Sequence, residues 1–155
     1  MNHADNQDIL SWTLFYMSTK SNLTESDIFH AITNQFGHIK DVNEISNKVI
    51  EKLNRLKLIN DNRAANKICN KNQHKGDIFL RHILKQKGIS DDDIEQAIKS
   101  IPCEDQRATF ESIKKSESFM GLSKNETQNK LDRFLTGRGF SPSISFDIAR
   151  EVASN

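Results

Sequence analysis

An all-α chain of three tandem three-helix units is predicted by three observations. Apolar residues recur at helical spacing almost throughout, turn formers are scarce, and one glycine-marked pattern occurs three times. Only two prolines and six glycines occur in 155 residues, too few turn formers for a many-stranded sheet. Hydrophobic residues make up 35% and charged residues 28%, enough apolar material for a core and too much for a disordered chain.

Ile9, Leu10, Trp12, Leu14 and Phe15 crowd the first helix, with Tyr16 and Met17 behind them. Ser21 to Thr24 breaks it, and Thr24 with Asp27 three residues on reads as a new helix start. Ile28, Phe29, Ile32 and Phe36 then share one helical face, and Gly37 stops that helix. The third helix has Val42, Ile45, Val49, Leu53 and Leu56 as its expected buried row.

The same grammar recurs downstream. Ala64, Ala65, Ile68 and Cys69 mark a fourth helix, and Phe79, Leu80, Ile83 and Leu84 a fifth that ends at Gly88. Ser90 with Asp93 predicts a capping box for the sixth, with Ile94, Ala97, Ile98 and Ile101 inward and Pro102 as its stop. A charged seventh helix runs from near Glu104 to Lys115, and Gly121 to Glu126 is expected to be a mobile loop. Leu131, Phe134 and Leu135 lie on an eighth helix reaching Gly139. Ser141 as N-cap with Pro142 at the first helical position opens the ninth, whose face is Ile144, Ile148 and Val152.

Gly37, Gly88 and Gly139 are 51 residues apart each time (88 − 37 and 139 − 88). Aligned on them, Thr33, Leu84 and Leu135 share a column, as do Ile32, Ile83 and Phe134, and Phe29, Leu80 and Leu131. Glycine suits a helix end because one residue there often adopts the left-handed conformation, which costs glycine almost nothing. The expected units are 8–58, 59–101 and 102–153.

Charge excludes little by itself, since 22 Lys and Arg face 21 Asp and Glu; any basic footprint must be local. The polar, acidic start from Met1 to Ile9 has no secretory pattern, and no window approaches the roughly 20 apolar residues of a membrane span. Cys69 and Cys103 form no CxxC pair and read as thiols in a reducing compartment, so the cytoplasm is the expected location.

For catalysis there is no GxSxG elbow, no Walker-type loop and no GxGxxG after a strand, so neither an enzyme nor a cofactor is expected. Asp91, Asp92 and Asp93 lack the alternation, glycine and distal glutamate of a calcium loop and suit a helix N-terminus instead. His74 and His82, like His30 and His38, would stand roughly 12 Å apart along a helix, too far for one metal.

The basic residues of the second and third units are more informative. Arg81 and Lys85 lie one turn apart, opposite the apolar face of the fifth helix, with Lys75 and Lys87 flanking them. Lys130, Arg133 and Arg138 surround Leu131, Phe134 and Leu135. Stacked in an array, two such helices can form a stripe that meets phosphates or an acidic groove.

The stretch from Lys75-Gly76-Asp77 through Phe79-Leu80-Arg81 to Leu84-Lys85-Gln86-Lys87-Gly88-Ile89 resembles the central signature of the RecX family. Leu56 to Ala65 is similar to that family's hydrophobic pair, acid, Arg and Ala, and Lys130 to Ser141 to its C-terminal Phe-Leu-x-x-Arg-Gly-Phe segment. The three lie in the family's order, and the likeness runs from about Ile9 to Val152. Three departures stand out. Phe79 and Ile83 replace a basic and an acidic residue, Asp77 replaces a proline, and Thr24 to Phe36 carries no arginine.

The resemblance implies tandem three-helix repeats in an elongated, curved array that binds the RecA recombinase filament. It also implies restraint of the filament's ATPase, strand exchange and SOS-inducing activity, without catalysis; a monomer is the expected state. Some members of the family also touch single-stranded DNA. Lys75, Arg81, Lys85, Lys87, Lys130, Arg133 and Arg138 are the expected contact residues. Two other readings remain open from the residues alone: a helix-turn-helix-like DNA-binding protein acting without a recombinase, and a helical-repeat adaptor for another protein. The near-neutral charge counts against the first, since duplex binders usually carry a clear basic excess.

Overall fold

A computed structural model describes residues 3–155, with side chains from Asn6 onward. Met1 and Asn2, which begin the polar start, lie outside the described residues. All regular structure among the described residues is helical. The order is α1 (His3–Thr19), α2 (Glu25–Gln35), α3 (Val42–Arg55), α4 (Asp61–Lys71), α5 (Asp77–Gln86), α6 (Asp91–Lys99), α7 (Glu104–Ser116), a 3₁₀ turn (Glu117–Phe119), α8 (Lys124–Gly137) and α9 (Pro142–Ala153).

Helix starts follow local polar chemistry. Thr24 and Asp27 exchange both bonds of a capping box: Asp27 N donates to Thr24 Oγ1 at 3.2 Å and Thr24 N to Asp27 Oδ2 at 3.0 Å. Ser90 accepts from Asp93 N, but the return bond expected of a full box is absent, and the Asp93 carboxylate instead accepts from Asn62. Ser123 Oγ accepts from Glu126 N at 3.2 Å, so Lys124 to Glu126 form the first turn of α8 rather than the expected loop.

The helices gather in threes around three apolar cores. The first holds Ile9, Ile28, Ile32, Ile45 and Leu53, and the second Ala65, Cys69, Leu80, Leu84, Ile94 and Ala97. The third is smaller, built on Ala108, Leu135, Phe140 and Ile148. Its helices also bury Arg107, Glu111, Ser112 and Ser145. Ser112 and Ser145 sit at the helix positions that Cys69 and Ile94 occupy in the second group.

The glycine register needs one correction. Leu80 and Leu84 match Leu131 and Leu135 as fully buried pairs, but the first group buries Ile28 and Ile32, one residue earlier than the Gly37 alignment implies. Gly88 and Gly139 have φ of 73° and 86°, whereas Gly37 is not left-handed, and α2 is closed by Phe36 at φ −114°. The equal spacing of Gly37 is therefore not a repeat position. Leu56, expected in the buried row of α3, lies past its last turn and is 58% exposed.

Candidate partner-binding surface

The three groups are joined by one construction used twice. In both joints the N-terminus of a middle helix docks on the turn after the next middle helix. A carboxylate from the next first helix caps it. At the first joint Thr24 Oγ1 donates to Lys87 O at 2.7 Å, and Glu25 N donates to Asp61 Oδ1 at 2.9 Å. At the second, Gly76 N donates to Arg138 O at 3.0 Å, Ile78 N to Gly139 O at 3.1 Å, and Asp77 N to Glu104 Oε1 at 3.1 Å. Glu25 and Asp77 are the first residues of α2 and α5; Asp61 and Glu104 are the first of α4 and α7. The carboxylates meet exposed amides at helix starts, where negative charge is favoured.

Close approach requires glycine at these joints. A Cβ on Gly76 would lie 2.1 Å from Phe140 N, and one on Gly139 2.5 Å from Phe79 Cβ. Glu104 also accepts from Ser141 N at 2.9 Å and from Ser141 Oγ, so one carboxylate serves the starts of α5 and α9. Arg107 completes the second joint. It is 4% exposed, pairs with Asp77, donates to Lys75 O and Pro102 O, and lies over the Phe140 ring.

The seven basic residues read from the sequence fall into separate environments. The Lys87 amine is held within the first joint, 2.8 Å from Asp27 Oδ2 and 3.2 Å from Asn22 O. Arg81 binds Glu95 of α6 at 2.9 Å, and Lys85 stands 3.6 Å from Asp91. The basic face of α5 is thus matched by acidic residues of α6, which inspection of α5 alone does not reveal. Lys75 lies over the Phe79 ring at 4.8 Å. Arg138 reaches Glu111 at 3.8 Å and covers the Phe134 ring at 4.6 Å. Lys130 and Arg133, both exposed on α8, enter no ion pair among the described residues.

Packing α7 against α8 creates a surface that the separate helices do not announce. Phe119 lies between Lys115 and Lys130, at 5.7 and 5.8 Å, and Phe134 between Lys115 and Arg138. Lys114 stands over Phe110, which is 62% exposed. Met120, at 84%, is the most exposed large apolar side chain among the described residues. Cations alternating with half-buried rings offer charge for phosphate or carboxylate and flat apolar faces beside it. Lys114, Lys115 and Phe119 were not among the residues expected at the site. Their signal was the Lys114-Lys115 pair flanked by Phe110 and Phe119, split between a helix and the turn after it.

Titration follows the joints. Burial raises Asp77, and the neighbouring Glu104 carboxylate adds to this, against the attraction of Arg107. Burial works to raise Asp27 too, but the bonds from Lys87 and Thr24 outweigh it and hold the carboxyl below its ordinary value. Burial pushes the Cys69 thiol up to about 11, which removes it as a nucleophile near neutrality. Among the described residues no group of three or more His, Cys, Asp or Glu could hold a metal ion, and no helix is long and apolar enough to cross a membrane.

No protein-family model matches the chain. It is 38% identical over 116 residues to Regulatory protein RecX of Streptococcus pneumoniae (strain Hungary19A-6), covering 69% of this chain and 44% of that protein. With Regulatory protein RecX of Clostridium botulinum (strain Eklund 17B / Type B) it shares 32% identity over 111 residues, covering 68% and 52%. The chain thus spans about half the length of the curated relatives it matches. The crystal structure of RecX from Lactobacillus salivarius superposes with a TM-score of 0.83 at 22% identity, over 99% of this chain and 100% of that one. A crystal structure of regulatory protein RecX gives 0.74 at 26% identity, over 92% and 72%. With that likeness in sequence and in fold, the chain belongs to the RecX family.

Proposed function

We propose that this chain is a non-enzymatic regulator of the RecA recombinase filament. In this reading its stacked units lie along the filament, and it restrains ATP hydrolysis and strand exchange. The observation that carries the reading is the basic and aromatic surface of α7 and α8 on a repeat fold shared with regulatory proteins. An array of small units follows a helical groove better than a globule does. Lys130 and Arg133, with Lys115 beside them, are the main contacts, to acidic residues of the filament or to its single-stranded DNA. Arg81 and Lys85 contribute once Glu95 and Asp91 release them. Lys75, Lys87 and Arg138 contribute least, because the joints and ring contacts already hold them.

The test is RecA ATPase on single-stranded DNA with increasing amounts of the chain. Inhibition is expected at or below equimolar ratio and should weaken as salt rises. Lys115→Ala/Lys130→Ala/Arg133→Ala should lose it at least tenfold, and Arg81→Ala/Lys85→Ala should lose less, both with melting close to the parent. Unchanged ATPase and strand exchange across the titration would remove the assignment.

A further inference from the structure

The groove between the first and third helix of each unit has a different lining in each of the three. In the central unit it is bridged by an amide: Asn62 Nδ2 donates to the Asp93 carboxylate at 3.2 Å and to Gln96 Oε1 at 3.0 Å. In the outer units no such bridge spans the groove among the described residues. The α7/α9 groove encloses about 640 Å³ over Phe110, Ile113, Ile144 and Ile148. The α1/α3 groove encloses about 490 Å³ over Leu10, Ile45 and Val49. Phe110 and Ile113, 62% and 54% exposed, stand at the edge of the α7/α9 groove.

The rims of the two open grooves carry opposite charge at matching positions. In α3 the lining runs Ile45, Lys48, Val49, Lys52; in α9 it runs Ile144, Asp147, Ile148, Glu151. Both follow the same i, i+3, i+4, i+7 spacing, with branched apolar residues aligned and each lysine replaced by a carboxylate. Asp105 adds a third acid to the α7/α9 rim, and no Lys or Arg lines that groove. Lys48 pairs with Glu44, and Asp147 with Arg150, but both pairs lie within one helix and are largely solvated, so they exchange readily for partners across an interface.

We propose that the α7/α9 face of one copy docks on the α1/α3 face of a second copy, acidic rim to basic rim. The exposed Phe110 and Ile113 cover Leu10 of the neighbour, while Asp147 and Glu151 meet its Lys48 and Lys52. Such a contact joins different surfaces head to tail, so it generates rings or open chains instead of closed two-fold dimers. It departs from the monomer expected from the sequence and does not depend on the recombinase reading.

Analytical ultracentrifugation of the purified chain tests this over rising concentration, at low and at high salt. The weight-average mass should climb above that of one chain at low salt and fall back as salt screens the rims. Lys48→Glu/Lys52→Glu and Asp147→Lys/Glu151→Lys should each associate at least tenfold more weakly. All four positions are exposed, so melting by circular dichroism should stay near the parent and separate a lost contact from a lost fold. Mixing the two variants restores opposite rims and should restore association. A parent that stays monomeric up to millimolar concentration overturns the proposal and leaves the groove to a different protein. Single variants that associate like the parent, or a mixture that stays monomeric, overturn it equally.

Discussion

The two joints share a backbone plan and differ in what seals them. The first is closed by Lys87 and Asp27, whose side chains remain 35% and 27% exposed. The second is closed by Arg107, 3% exposed in its side chain, and by a glutamate that accepts three hydrogen bonds. A half-solvated lysine pair adds little, because water competes for both partners. A buried guanidinium is different, since any loss leaves a carboxylate and two carbonyls without partners. One geometry can thus hold units together loosely or tightly, according to how dry its charges are.

Breaking the second joint should have the largest effect. Arg107→Ala is expected to cost about 3–5 kcal/mol, read from urea unfolding, because it empties a buried site and leaves the half-buried Asp77 carboxylate and the Lys75 and Pro102 carbonyls without their partner. Gly76→Ala comes next, at about 1–3 kcal/mol, since its Cβ would overlap backbone of the α8–α9 turn that cannot move as a side chain can. At the first joint Lys87→Met should cost no more than about 1 kcal/mol. If Lys87→Met and Arg107→Ala proved equally damaging, burial would not be what distinguishes the joints.

The smallest effect is in the pH dependence, and there the joints have opposite sign. Asp27 lies below its ordinary value of 3.8, so its stabilisation is full above that pH and is lost as pH falls through its lower folded value. Asp77 lies above 3.8, so the fold favours its protonation and stability gains from it as pH falls through that raised value. Urea midpoints from about pH 6 to about pH 2.5 should show this. Asp27→Asn should flatten the acid-side loss, and Asp77→Asn should remove the opposing gain above 3.8.

The helices and their caps were legible because their causes are local. Thr24 with Asp27, Ser123 with Glu126, and Ile94 with Ala97 and Ile98 lie within a turn or two of each other. What exceeded local reach was less legible. Gly37 misled because spacing alone cannot say whether a glycine is left-handed; only two of the three are. The joints link Thr24 to Lys87 and Asp77 to Glu104, and nothing in either pair's own neighbourhood points to the other. The same distance hid the pairing of Arg81 with Glu95, which tempers the stripe read from α5. Lys130 is legible as a charge, but the ring beside it, Phe119, comes from the turn after α7.

At the second joint, two of the linking bonds run from the backbone of Gly76 and Ile78 to the backbone of Arg138 and Gly139. Main-chain groups are the same whatever side chains surround them, so these two bonds demand only the glycines, and the demand on side-chain identity falls on Arg107 and Glu104, which seal the joint. Lineages carrying such a joint can exchange most of their surface while the units continue to stack at the same angle. Inheritance then preserves the way the units are assembled and leaves the outward faces free to change partners.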